Sequence, residues 1–133
     1  DPLDGQSLSR EVLAERIDPY RLHDAQSEEL DARLNAYLLG LQPRDIIARM
    51  LRNLKAIYAS EADWLRLIAT ENRILTLLPT AWSDYRDRGL AHAQAGNTRL
   101  AVADLETYLS HVGHAADSPA IAMRVEELRR ATN

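Results

Sequence analysis

Two histidines three residues apart, His111 and His114, with Asp117 just beyond, are the closest this 133-residue sequence comes to a metal-ligand spacing. Zinc takes three or four ligands whose orientation is fixed by supporting hydrogen bonds. A histidine is also favoured at a helix C-terminus, where it meets the negative end of the dipole. The spacing reads as a helix end, and no metal or other cofactor is expected. The acids come in near-adjacent groups: Glu28-Glu29, Asp104/Glu106 and Glu126-Glu127. Neighbours on a helix do not face one another, so no pair predicts two carboxylates held across a cleft. The absence of cysteine removes thiolate nucleophiles, thiolate metal sites and disulfides. No catalytic residue is therefore assigned. Gly89 and Gly96, followed by Asn97-Thr98, raise the question of a phosphate-cradling loop. That chemistry needs G-x-x-x-x-G-K-[ST] after a strand, and the sequence supplies neither the lysine nor the strand. One basic group remains: Arg44, Arg49, Arg52 and Lys55. Arg49 and Arg52, with Arg86 further on, could bind an acidic peptide or a terminal carboxylate through forked hydrogen bonds.

Composition narrows the partners. Apolar residues make up 46% and charged residues 27%, with a formal net charge of −4. This balance suits a globular domain and argues against nucleic acid or an acidic membrane as the main partner. No apolar run reaches the roughly 18 residues of a membrane span. The start, DPLDGQ, has neither a Met nor a basic-then-apolar leader, so the chain is expected to be part of something longer. The lack of cysteine fits a reducing compartment, and a cytoplasmic location is expected.

Helical spacing dominates and strand alternation is absent. Residues 9–17 predict a first helix, capped by Ser9 and ended by Asp18-Pro19. Residues 27–38 predict a short helix with Leu30, Leu34, Tyr37 and Leu38 on one face. Residues 43–60 form a strong helix, with Pro43 in its first turn and Ile46, Ile47, Met50, Leu51, Leu54, Ile57 and Tyr58 stepping by three and four. Further helices are predicted at 64–78, 81–95, 98–112 and about 118–131, the last capped by Ser118 with Pro119 in its first turn.

Sliding the chain by 34 residues superimposes two helix pairs. Tyr58 meets His92, Ala62 meets Gly96, Asp63 meets Asn97, Ile74 meets Tyr108, and Pro79 meets Gly113. This helix–turn–helix period resembles the tetratricopeptide repeat. Repeats are expected at 48–81 and 82–115. The first departs from the usual pattern with Lys55 in place of glycine and Glu71 in place of a large apolar residue. The second departs with Arg88 and Gly113. On this reading Gly89 is small because two helices cross closely, and Gly96 sits in the tight turn.

The order PRDIIARMLRNLKAIY, YRDRGLAHAQAGN and AVADLETYL also resembles the C-terminal half of the bacterial SirB family. Its most specific stretches are RNLKAIY (52–58), YRDRG (85–89) and ADLETYL (103–109). That resemblance implies a transglutaminase-like, cysteine-protease-like domain upstream, whose catalytic residues would lie outside this chain.

The expected architecture is all-α: an array of helical hairpins with two repeats and a C-terminal capping helix. Residues 1–42 form a less regular helical segment, and 43–133 form the repeat domain. The resemblance to tetratricopeptide arrays implies a concave face built from the first helix of each pair, with Arg49, Arg52, Asn53, Arg86, Leu90 and Gln94 as its candidate binding residues. The arginines alternatively pair with Asp45, Asp84 and Asp87 within the domain. The expected function is non-catalytic: binding a protein or peptide, or docking on the protein's own N-terminal domain. An enzyme whose substrate site this region completes is the alternative, and self-association through an open edge is a third.

Overall fold

The computed structural model describes residues 19–40 and 43–132. The helix expected at 9–17 lies outside the described residues. Among the described residues six helices follow in order: α1 Pro19–Leu38, α2 Arg44–Ser60, α3 Trp64–Leu77, α4 Trp82–Gln94, α5 Thr98–His111 and α6 Ser118–Thr132. No strand occurs among the described residues. The chain divides into two compact units at Ile47–Ala48, inside α2.

In the first unit, α1 is longer than the expected 27–38 segment. It starts at Pro19, where proline's fixed φ suits a first helical residue. Its first two turns, PYRLHDAQ, carry no apolar stripe, so periodicity does not reveal them. Leu30 is buried, Leu34 and Tyr37 are half-buried, and Leu38 is exposed. Arg33 and Glu29 form an exposed pair one turn apart.

In the second unit the helix boundaries and turn amides repeat. Helix α5 starts and ends 34 residues after α3, and α4 ends 34 residues after α2. The turn amides repeat at the same offset: Asp63 N–H donates to Tyr58 O, as Asn97 N–H does to His92 O. Leu78 N–H donates to Ile74 O, as Val112 N–H does to Tyr108 O. Ala62 and Gly96 both adopt positive φ, at 54° and 84°. Asp63 caps α3 by accepting the Arg66 amide at 3.3 Å. Asn97 makes no such cap, because its side-chain amide turns to His92 Nδ1 at 3.2 Å.

The core of the second hairpin gathers Ala101, Leu105 and Tyr108 of α5 with Ile121, Val125 and Leu128 of α6. Gly89 on α4 makes this possible. A Cβ there would lie 2.9 Å from Leu105 Cγ and Cδ2, so the helices cross where only glycine fits. Trp82 packs inside this hairpin, stacked on His111 with ring centroids 3.6 Å apart and on Tyr85 at 5.6 Å. Ser118 is the first residue of α6 and not its cap. Ile121 N–H bonds Asp117 O, and the Ser118 hydroxyl instead donates to Val112 O at 2.7 Å.

Candidate functional site

The first hairpin replaces the Gly89–Leu105 contact with charge. At the matching positions stand Lys55 on α2 and Glu71 on α3, and α4 adds Asp84 and Asp87. Glu71 and Asp84 are both fully buried. Lys55 Nζ lies 2.7 Å from Asp84 Oδ1, 2.5 Å from Asp87 Oδ2 and 3.6 Å from Glu71 Oε2. Arg52 forks onto Asp84 from the other side, at 3.2 and 2.8 Å. Three carboxyl groups thus stand around one half-buried ammonium, two of them, Asp84 and Asp87, within hydrogen-bond distance.

Neither Glu71 oxygen has a hydrogen-bond donor in reach among the described residues. A proton on Glu71 supplies the missing donor and points it at Asp84. Burial, together with the Asp84 carboxylate beside it, pushes Glu71 up to about 9, and Lys55 only partly opposes this. Burial pushes Asp84 the same way, but the Arg52, Lys55 and Glu71 hydrogen bonds overcome it and hold Asp84 down to about 2. The two carboxyls therefore share one proton. Burial works against the Lys55 ammonium, but its bonds to Asp84 and Asp87 raise it above its usual range.

Glu71, Asp84 and Asp87 bring oxygen atoms within 4.8 Å of one another, a spacing that would suit a metal ion. The Lys55 ammonium already stands among those oxygens and supplies the cation. The cluster reads as a charged seam joining α2, α3 and α4. The seam continues along the array. Arg86 Nε donates to Asp87 Oδ1 at 2.8 Å, and Arg86 Nη1 donates to Asp117 at 2.9 Å. Asp117 also accepts the Tyr108 hydroxyl at 2.6 Å. Arg52 and Arg86, at the same position of the two repeats, each reach an aspartate at the N-terminal end of the helix after the repeat: Asp84 in α4 and Asp117 just before α6. Arg88, another departure from the repeat pattern, forks onto Asp104 at 2.7 Å in both arms and donates to Asn72 at 3.0 Å.

Beside the seam lies an open cleft of about 440 Å³, lined by Lys55 and Ala59 of α2, Trp64 and Leu67 of α3, Asp87, Leu90, Ala91 and Gln94 of α4, and Arg124 of α6. The first helices of successive pairs, α2 and α4, provide six of these side chains. Leu90 and Gln94, two of the residues expected on the concave face, line it. The others fall elsewhere. Arg52 and Arg86 are bound into the seam, while Arg49 and Asn53 are exposed on α2. The pairing of Arg52 with Asp84 is the alternative that the sequence leaves open for the concave-face arginines. A further signal in the sequence is that Lys55 and Glu71, a base and an acid, depart from the repeat at positions that face one another.

The histidine spacing does not assemble a site. His111 is stacked on Trp82 and bonded to Thr107 O, His114 is exposed, and Asp117 is engaged by Tyr108 and Arg86. The grouped acids are dispersed as well. Asp104 pairs with Arg88, Glu106 with Arg129, and Glu127 with Arg124.

Comparison with known proteins bears on both the fold and its context. Two proteins named UPF0162 protein, from Xylella fastidiosa strains Temecula1 / ATCC 700964 and 9a5c, are each 40% identical to the chain over 111 residues. The match covers 82% of this chain but 38% of each relative, so the chain spans about two-fifths of the length of these curated relatives. No helix among the described residues is long and apolar enough to cross a membrane. The tetratricopeptide-repeat family matches residues 54–126, the stretch in which helices and turn amides recur at one fixed offset, and the chain belongs to that family.

Proposed function

We propose that this chain is a non-catalytic docking module of a longer protein. Its concave cleft receives a segment of the remaining part of that protein, the transglutaminase-like domain implied by the SirB resemblance. The observation that carries the reading is the cleft between the pairs. Its floor is apolar, with Ala59, Trp64, Leu67, Leu90 and Ala91, and its rim is polar, with Gln94 and Arg124. A contiguous apolar depression with a polar edge is the anatomy of a protein-binding surface. The family supports the same class of function, since its arrays stack hairpins to present extended concave surfaces. The relatives supply the context, because their chains extend well beyond the region matched here. Among the candidate residues, Leu90 and Gln94 contact the docked segment. Arg49 and Asn53 extend the contact along α2, while Arg52 and Arg86 hold the surface in shape.

The test is isothermal titration of this chain with the rest of the protein, expressed separately. Leu90→Asp places a charge on the cleft floor and is expected to weaken binding by at least tenfold, a loss of about 1.4 kcal/mol; because Leu90 also packs against the Leu105 core, the variant's helical content is checked by circular dichroism before its affinity is read. Unaltered affinity in Leu90→Asp would remove the cleft from the interface.

A further inference from the structure

The lining of the cleft goes further than a general docking surface and selects the chemistry of what enters it. Three formal charges border it: Lys55, Asp87 and Arg124. The first two are spent. Lys55 contacts three carboxylates, and Asp87 gives one oxygen to Lys55 and the other to Arg86. Arg124 is different. Its partner is Glu127, one turn along the same helix, through a single contact at 3.2 Å between two exposed side chains. Exposed pairs of this kind are worth between zero and about 1 kcal/mol, so Arg124 exchanges Glu127 for a better carboxylate at little cost. A planar guanidinium can then take that carboxylate through two parallel bonds. Gln94, exposed at the same rim, offers an amide donor and acceptor that suit a peptide backbone. Between them lies the apolar floor, with Trp64 as one wall.

We infer that the cleft takes a segment in which a leucine-sized apolar side chain is flanked by an acidic residue: the apolar group on Trp64, Leu67 and Leu90, the carboxylate on Arg124. This rests on the docking reading and specifies the segment it captures. The partner's anchor is a short acidic-apolar stretch of polypeptide. A basic one would meet Arg124 with like charge, and a purely apolar one would leave the guanidinium unused.

Trp64 provides the readout. The second tryptophan, Trp82, is stacked away in the α4–α5 hairpin, so a Trp82→Phe background isolates the emission of Trp64. Three capped hexapeptides are titrated against this chain: Ac-GSLDSG-amide, Ac-GSLKSG-amide and Ac-GSSDSG-amide. The Leu-Asp peptide is expected to shift Trp64 emission saturably, with affinity about fivefold above each of the others. Arg124→Glu is expected to reverse the order of the Leu-Asp and Leu-Lys peptides. This exposed substitution leaves the fold in place, and the exchanged preference cannot come from a general loss of structure. Equal response to all three peptides, no response to any, or an order unchanged in Arg124→Glu overturns the inference. If no peptide binds while the titration with the remainder of the protein still depends on Leu90, the acidic-apolar anchor is wrong and the docking surface stands. If both fail, the docking reading falls too.

Discussion

Glu71→Gln should make the protein more stable at neutral pH and remove most of a pH dependence that the wild type shows. The ordinary value of a glutamate here is 4.5, and in the folded protein Glu71 is pushed up to about 9. The folded state therefore binds one more proton than the unfolded chain across that window. A raised carboxyl favours the fold least when the unfolded chain is fully ionised. Stability is unaffected well below pH 4.5, falls by about 1.4 kcal/mol per pH unit above it, and levels off once pH passes about 9. At pH 7 the cost is on the order of 3 kcal/mol, a large share of the stability of a small domain. Asp84 runs the other way. Held to about 2, it contributes stability that is present above its ordinary 3.8 and is lost as pH falls towards 2. The pair therefore favours folding most near pH 4.

Glutamine has nearly the shape of a protonated glutamic acid and keeps an N–H to aim at Asp84, but it needs no proton from solvent. Urea denaturation of wild type and Glu71→Gln at pH 5, 7 and 8.5 is the assay. The difference between the two proteins is the quantity to read, because every other titrating group cancels in it. It should be under about 1 kcal/mol at pH 5 and grow to about 3 kcal/mol at pH 7. Its growth with pH is the signature. A difference that is the same at all three values would mean that Glu71 is ionised in the fold, held there by Lys55, and the shared-proton account would be wrong.

Other outcomes follow from the same geometry. Lys55→Met should cost roughly 3–5 kcal/mol in denaturant titration, because it leaves buried carboxylates without their ammonium. Gly89→Ala should cost about 1–3 kcal/mol by overpacking against Leu105, and combining it with Leu105→Ala should give less than the sum of the two single losses. At the turns, Ala62→Gly should raise stability by about 0.5–1 kcal/mol, since alanine there holds a positive φ. Gly96→Ala should lower it by about 1 kcal/mol for the same reason. Opposite signs in the two melting curves are the check.

These turn substitutions also show why the repeat was legible. The 34-residue period survives in the sequence because local rules write it: a cap at Asp63 and Asn97, a tight turn one residue earlier, a breaker at Pro79 and Gly113. Each is a backbone requirement that few residue types meet, so it leaves a mark even when the side chains between have diverged. Helix α1 lacked those marks. Its first two turns carry no apolar stripe, and only Leu30, Leu34 and Tyr37 betrayed its later half. The cap of α6 was misplaced because Ser118 suits a cap by type, but its hydroxyl is drawn to the Val112 carbonyl by a loop that sequence does not specify. The arginines of the concave face are placed by position, and pairing with Asp84 and Asp87 is one of the two readings that position allows for them. The structure selects it for Arg52 and Arg86; sequence leaves the choice open because it turns on carboxylates 31 and 32 residues away as well as on the adjacent Asp87.

The departures from the repeat pattern carry the strongest lesson about the site. Lys55 replaces a glycine and Glu71 replaces a large apolar residue, and Asp84 and Asp87 on the next helix make both tolerable: they hold the half-buried Lys55 ammonium at 2.7 and 2.5 Å, and Asp84 stands beside the Glu71 carboxyl, which keeps its proton. A steric contact is thereby replaced by a polar one that reaches the following pair. The second hairpin keeps glycine and leucine at these positions, so packing closes that crossing, and it adds the ion pair of Arg88 with Asp104. The first crossing instead holds Glu71, whose titration makes that contact depend on pH. The cleft borders the first crossing, through Lys55 and Asp87, so a pH change that titrates Glu71 acts on contacts in the cleft's own wall.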